Sequence, residues 1–99
     1  MKVGNISIGG YGNYSSKNYG VNALRVQIGG LVLWFSYQTI VAFREPGKLV
    51  RVCENCWGNT TGGHLNAIDD GDKKGRLKPE VFQAELSDLL TRHGLNEGE

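Results

Sequence analysis

Two alternating apolar segments joined by a pair of glycines constrain the fold of this chain more than any other feature. The segment ALRVQI carries an apolar side chain at every second position, which is the pattern of a half-buried strand. LVLWFS follows Gly29 and Gly30, and two glycines suit a tight type I′ turn because both central positions need a positive φ. The turn predicts these pairs: Ile28 opposite Leu31, Val26 opposite Leu33, and Leu24 opposite Phe35. All of these side chains then share one face, so the turn and the apolar pattern predict the same antiparallel hairpin.

A second pair of strands is predicted around Pro46 and Gly47. The flanking segments QTIVAFRE and KLVRVC are rich in the branched residues that strands favour. With Pro46 and Gly47 as the whole loop, the register places Phe43 opposite Val50 and Val41 opposite Val52. A Pro-Gly pair favours a type II turn, whose twist does not suit a tight hairpin, so a longer loop is the alternative.

The segment KPEVFQAELSDLLTRHG predicts a helix over about residues 79–93. Pro79 fits the first helical position, and Glu80 suits the positive end of the helix dipole. Gly94 follows as a natural stop. The apolar residues recur at helical spacing and form one stripe: Phe82, Leu86, Leu89 and Leu90.

These elements predict an α+β fold, an antiparallel sheet of four to five strands with one C-terminal helix packed on one face. A length of 99 residues suits a single domain over 1–99. Its parts are expected to be a sheet over about 2–56, an irregular loop over 57–77 and the helix over about 79–93. We expect the helix residues Phe82, Leu86 and Leu89 to cover the sheet residues Leu24, Val26, Ile28, Leu33 and Phe35.

Composition narrows the classes of partner. The formal net charge is +1 and charged residues make up 21% of the chain, whereas a non-specific nucleic-acid binder usually carries a basic excess. The longest strongly apolar stretch, LVLWF, is far too short to span a bilayer. The first ten residues, MKVGNISIGG, lack the apolar core of a signal peptide. We therefore expect a cytoplasmic protein without a membrane partner.

The segment CENCWGNTTGGHLNAIDD raises the question of a metal site. Cys53 and Cys56 have the spacing of half a zinc site, His64 offers a third ligand, and Asp69 or Asp70 a fourth. The second half of a typical zinc pattern is missing, so these are weak candidates and no metal or other cofactor is predicted. A redox role needs a helix after the two cysteines to lower a thiol pKa, and WGNTTGG is expected not to be helical.

Two long polar segments contain aromatic residues and need another explanation. YGNYSSKNYGVN and WGNTTGGHLN combine Tyr or Trp with Asn, Ser and Thr, a composition that is typical of binding loops. The alternative is that their rings pack at the rim of the sheet while the polar residues satisfy loop backbone. The candidate binding residues are Tyr14, Ser15, Ser16, Asn18, Tyr19, Trp57, Asn59, Thr60, Thr61, His64 and Asn66.

The combination of YSSKNYG, SYQTIVAF and WGNTTGGHLN resembles a family of short uncharacterised proteins of phages and prophages. The resemblance covers roughly residues 11 to 90. It implies a small phage accessory gene and brings no established chemistry. Members need no cysteine in this region, and the present chain has Ala67 where a tryptophan is expected.

Three hypotheses about function follow. The first is a non-catalytic accessory protein that binds a host protein or a host-defence component. The second is a module that binds a small ligand or nucleotide with the Tyr/Asn/Ser and TTGGH segments. The third is a small hydrolase with His64 as its base, although the serines lack a G-x-S-x-G elbow. A ligand-induced shift in melting temperature would favour the second, and turnover abolished by His64→Ala the third.

Overall fold

The computed structural model describes residues 6–11 and 23–95. In this part of the chain a five-stranded sheet is followed by a helix, a short 3₁₀ turn and a second helix. The elements are β1 (Ile6–Gly10), β2 (Ala23–Ile28), β3 (Leu31–Ser36), β4 (Thr39–Arg44), β5 (Arg51–Val52), α1 (Asn59–Asp69), the 3₁₀ turn (Lys73–Gly75) and α2 (Pro79–Arg92). The α+β class and the antiparallel sheet are confirmed.

The hairpin of β2 and β3 has the predicted register. Ile28 pairs with Leu31 and Val26 pairs with Leu33. Gly29 has a φ of 59°, a left-handed conformation that glycine adopts without steric cost. Gly30 lacks the positive φ that the predicted type I′ turn requires, so the turn type is wrong although the register is right. The remaining strands extend this hairpin as a meander in which each strand pairs with the next along the chain.

The predicted register of β4 with β5 is wrong by one residue. Val52 pairs with Ala42, and Phe43 pairs with Arg51. Pro46 and Gly47 belong to a six-residue connection over 45–50, and β5 has only two residues. A tight Pro-Gly turn would splay the strands. With the longer connection, the turn no longer determines which residues of the two strands pair.

Helix α2 covers one face of the sheet, as predicted. Its apolar stripe packs on the central strands in one cluster: Leu31, Leu33, Phe43, Cys53, Phe82, Leu86 and Leu89. The predicted burial of Leu33 beneath the helix is confirmed, and Phe35 packs against the same cluster. The rings of Phe43 and Phe82 lie 5.4 Å apart. Leu24, Val26 and Ile28 of β2 are only half-buried, so their predicted burial beneath the helix is wrong. The buried sheet residues of the cluster instead come from β3 and β4, together with Cys53, which follows β5.

The predicted irregular loop over 57–77 is also wrong, because it contains helix α1. Leu65 of α1 is fully buried, and it packs on the opposite face of the sheet with Val41, Ala42 and Val52. The sheet is therefore sandwiched between two helices. Asn55 orders the entry to α1, since its Oδ1 accepts hydrogen bonds from the backbone N–H groups of Trp57 and Gly58 at 3.0 and 3.3 Å.

A β-bulge in β4 places two neighbouring residues, Val41 and Ala42, in the same cluster with Leu65 of α1. The register between β3 and β4 shifts between Trp34 and Phe35, so that Trp34 pairs with Ala42 and Phe35 with Ile40. Val41 is the extra residue, and its carbonyl accepts a hydrogen bond from the Cys53 N–H at 3.0 Å. Neither described helix has the length and apolarity needed to cross a membrane.

Candidate functional site

A buried polar cluster joins the end of β3 to the first turns of α1. Ser36 Oγ lies 2.7 Å from His64 Nδ1 and 2.9 Å from Thr61 Oγ1. Ser36 is 2% exposed and His64 is fully buried. Two of the predicted binding residues, Thr61 and His64, therefore face the protein interior, and they contact a serine that the sequence analysis did not single out.

Two tyrosine rings pack around this histidine. The ring centroid of Tyr11 lies 6.0 Å from that of His64 in an edge-to-face arrangement. The ring centroid of Tyr37 lies 5.9 Å from that of His64, and the two ring planes are tilted by 46°. The Tyr11 hydroxyl donates a hydrogen bond to the Phe35 carbonyl at 2.7 Å. Burial lowers the pKa of His64 from its ordinary value of 6.5, because the aromatic surroundings solvate an imidazolium poorly.

The Ser36–His64 contact has the geometry of a nucleophile and its base. Both side chains are sealed from solvent, however, with Ser36 Oγ shared between His64 and Thr61. An acyl substrate has to approach the serine oxygen, and this burial blocks that approach. In this conformation the cluster holds the β3–β4 turn against α1.

Tyr37 is the exposed residue that this cluster positions. It follows Ser36 directly in the β3–β4 turn, has a φ of 57°, and leaves 49% of its surface exposed. A large residue at positive φ is uncommon, because this conformation costs of the order of 1–3 kcal/mol and persists only where the surrounding structure enforces it. The buried bonds of Ser36 and the packing of the Tyr37 ring on His64 supply that enforcement.

Trp57 is a second exposed aromatic residue, and it lies close in the chain to Thr61 of the same cluster. It is 43% exposed, and its backbone N–H is held by the Asn55 side chain. Trp57 precedes Thr61 by four residues, so their Cα atoms lie within about 14 Å of each other. Thr61 contacts Ser36, the residue before Tyr37, so a short stretch of chain connects each of the two aromatic residues to this contact. We call Tyr37 and Trp57 the aromatic surface.

The other predicted binding residues have different outcomes. Thr60 is half-buried in α1, and Asn59 begins this helix with a side chain that lies outside the described part. Asn66 is exposed, and its Oδ1 accepts a hydrogen bond from Arg76 Nη2 at 2.9 Å. The remaining predictions lie outside the described residues: Tyr14, Ser15, Ser16, Asn18 and Tyr19.

The weak metal candidates do not form a ligand cluster in the described part of the chain. Cys53 is buried beneath α2, Cys56 is exposed, and His64 faces the sheet from α1. No group of three or more His, Cys, Asp or Glu residues there is arranged to hold a metal ion.

The reason given against a redox role is wrong, since α1 begins three residues after Cys56. Burial, with smaller effects from Cys56 and Glu54, raises the pKa of Cys53 to about 11. Cys53 is therefore a thiol at neutral pH and a poor nucleophile.

Sequence reasoning missed Ser36, Tyr37 and helix α1. The sequence signal for α1 is Leu65 and Ile68 at helical spacing after Thr61, but Gly62 and Gly63 in its first half obscured that signal. A Tyr-Gln pair between two strand-like segments is a weak turn signal, because turns with positive φ normally use Gly, Asn or Asp.

Among the comparisons with known proteins, the match to a sequence family is the one that assigns the chain. No curated protein and no solved structure is significantly similar to it. A family model matches residues 1–84, most of the chain. The protein therefore belongs to DUF8033, a family of unknown function.

Proposed function

We propose that this protein acts by binding another protein, without catalysis, through the aromatic surface of Tyr37 and Trp57. The observation that supports the proposal is that two large rings are each nearly half exposed while other contacts hold them, since Asn55 accepts a hydrogen bond from the Trp57 backbone N–H and the Tyr37 ring packs on His64. Rigid, partly exposed aromatic side chains anchor protein interfaces because they bury a large area at little entropic cost.

The resemblance of the sequence to phage and prophage proteins suggests the setting. There the protein is a small accessory factor, and its partner is a host protein or a component of host defence. The near-neutral charge of the chain fits an interface that depends on ring burial more than on electrostatic attraction.

The test uses matched variants in a capture experiment from host lysate. Trp57→Ala removes one ring, and Tyr37→Asn removes the other with a residue that tolerates positive φ. Leu49→Ala is the control, since Leu49 is 85% exposed on the β4–β5 connection and lies outside the aromatic surface. We expect both ring variants to capture at least tenfold less of the same partner, a loss of about 1.4 kcal/mol or more, with the control unchanged.

Melting temperatures of the same variants separate binding from folding. Trp57→Ala should melt close to the parent protein, because its ring belongs to neither apolar cluster. Tyr37→Asn should lower the melting temperature only by the loss of its packing on His64. Undiminished capture by the ring variants, or an equal loss for Leu49→Ala, would contradict the proposal.

The contact between Ser36 and His64 favours a hydrolase as a second candidate. That function requires an opening of the structure that exposes Ser36 Oγ. The test is ester hydrolysis by the purified protein, with Ser36→Ala and His64→Ala as variants. Turnover that both variants abolish would support the hydrolase, and absence of turnover in the parent protein would exclude it for these esters.

A further inference from the structure

A polar cleft of about 600 Å³ lies beside α1, on the side of the helix that faces the 3₁₀ turn. Its lining residues are Glu54, Asn55, Gly62, Gly63, Asn66, Lys73 and Arg76. The volume is in the range of small-molecule sites, roughly 300–1,000 Å³. Neither Tyr37 nor Trp57 lines the cleft, so it is a different site from the aromatic surface.

Arg76 is the most constrained charged residue in the cleft. It is 9% exposed, and its Nε and Nη2 donate to the two carboxylate oxygens of Asp69 at 2.7 and 2.9 Å. Nη2 also donates to Asn66 Oδ1. Nη1 makes no hydrogen bond to any residue that the structure describes. The guanidinium is thus held in one orientation and has donors to spare.

Lys73 adds a second cation. It is exposed in the 3₁₀ turn and forms no ion pair with the described residues. Its ammonium is compact and mobile on a flexible stem, whereas the guanidinium of Arg76 is fixed and planar. Arg76 therefore offers a donor group in a fixed orientation, and Lys73 offers a positive charge whose position can adjust to a ligand.

Carboxylates limit what the two cations can attract. Asp69 offsets the charge of Arg76. The hydrogen bond to Asp69 raises the pKa of Arg76, and the charge of Asp72 adds to this effect. Glu54 is half-buried in the cleft wall. A simple anion is therefore held weakly, and a good ligand pairs its anionic group with a hydrogen-bond donor that Glu54 can accept.

The glycines of α1 leave this side of the helix open. Glycine inside a helix is unfavourable relative to alanine, so two glycines there need an explanation. At Gly62 the structure shows a reason, because an added Cβ would lie 3.0 Å from Asn55 Nδ2. Asn55 Nδ2 in turn donates to the Gly58 carbonyl at 3.0 Å. Glycine here accommodates the side chain that forms one wall of the cleft.

We propose that this cleft binds a small polar molecule through an anionic group, a phosphate or a carboxylate, held by Arg76 Nη1 and Lys73. Glu54 accepts a hydrogen bond from a donor elsewhere on the same molecule. A mononucleotide and an amino acid with an acidic side chain both have this chemistry and fit the volume. The site works independently of the aromatic surface, so either proposal can fail without the other.

The experiment is an NMR titration of the ¹⁵N-labelled protein with three probes. AMP carries the phosphate, L-glutamate carries the carboxylate, and adenosine is the control without an anionic group. We expect AMP or glutamate at millimolar concentration to shift the amides of Gly62 and Gly63 and the Arg76 Nε–H, and adenosine to shift them far less. Which probe binds identifies the anion, and failure of both overturns the proposal.

A matched pair of lysine variants tests the assignment. Lys73→Met removes the charge that lines the cleft, and Lys74→Met removes its exposed neighbour, which does not line it. Dissociation constants from the same titration should rise at least tenfold for Lys73→Met and less than twofold for Lys74→Met. Equal effects would mean a diffuse electrostatic attraction and would overturn the proposed site. Amide spectra of the free variants verify that both remain folded.

Discussion

Ser36 Oγ and His64 Nδ1 lie 2.7 Å apart, although 28 residues separate them in the sequence. The contact ties the last residue of β3 to the second turn of α1 and excludes water from both groups. It also fixes the backbone from which Tyr37 projects. Its contribution to stability and its response to pH are both measurable.

Ser36→Ala should destabilise the fold. The change leaves His64 and Thr61 buried without the hydroxyl to which both are bonded, and a buried polar group that loses its partner costs about 1–3 kcal/mol. Urea denaturation measures the change in the free energy of unfolding. Ser87→Ala, an exposed serine of α2, should change it by less than about 0.5 kcal/mol. Equal values for the two variants would mean that the cluster contributes nothing.

Stability should fall as the pH is lowered through the ordinary pKa of histidine. Burial lowers the pKa of His64 below 6.5, so the unfolded chain takes up a proton at a pH where the folded protein does not. The contribution of neutral His64 to stability is therefore complete above about pH 6.5. It decreases as the pH falls below that value and levels off below the pKa of His64 in the folded protein. Denaturation between pH 8 and pH 5 measures the slope.

His64→Asn should flatten this slope, because asparagine does not titrate. Ser87→Ala is the control, since Ser87 is exposed on α2 and does not titrate. It should retain the slope of the parent protein. A slope that persists in His64→Asn would assign the pH dependence to another group.

Leu86→Ala should cost about 2–5 kcal/mol, the usual range for truncating a buried leucine. Leu86 is 5% exposed in the cluster beneath α2, with Leu33 and Phe82. Leu95→Ala is the control because Leu95 is 40% exposed. The free energy of unfolding measures both. A loss below about 0.5 kcal/mol for Leu86→Ala would show that α2 does not dock on the sheet as described.

Glu45→Gln should change the acid limb of the stability curve. Hydrogen bonds from Arg92, the nearer at 2.6 Å, are the main cause that lowers the pKa of Glu45 from 4.5 to about 2. A lowered carboxyl pKa stabilises the folded state above pH 4.5, and this contribution is lost as the pH falls toward 2.

The variant should lose less stability than the parent protein between pH 4.5 and pH 2. Arg92 is half exposed, so solvent screens the interaction and the difference should shrink in high salt. Gln83→Ala, an exposed change on α2 that removes no titrating group, should leave the acid limb unchanged. Acid denaturation followed by circular dichroism compares the three proteins.

Regular periodicity explains which elements were predictable. The β2–β3 hairpin has alternating apolar residues and a Gly-Gly turn that agree on one register, and α2 has Pro79 at its start and a full apolar stripe. Each signal lies within a short stretch of chain. The family match to residues 1–84 likewise rests on sequence alone, although it assigns no function.

Helix α1 and the register of β4 with β5 depended on distant contacts. Two glycines weaken the local preference for helix at α1, and burial of Leu65 against Val41 and Val52 offsets that cost. The bulge at Val41 and the Cys53–Val41 hydrogen bond determine which residue faces which helix. Neither effect can be read from a local pattern.

The candidate sites divide in the same way. The sequence identified Trp57, Thr61, His64 and Asn66 as residues of interest from their composition and spacing, but it placed them all in one loop. Folding put Thr61 and His64 inside against Ser36, left Trp57 exposed, and bonded Asn66 to Arg76. Residue type and local pattern determine what chemistry a segment can offer. Which side chains are buried and which partners they meet is decided by packing between segments far apart in the chain, because those contacts form only when the sheet and both helices come together.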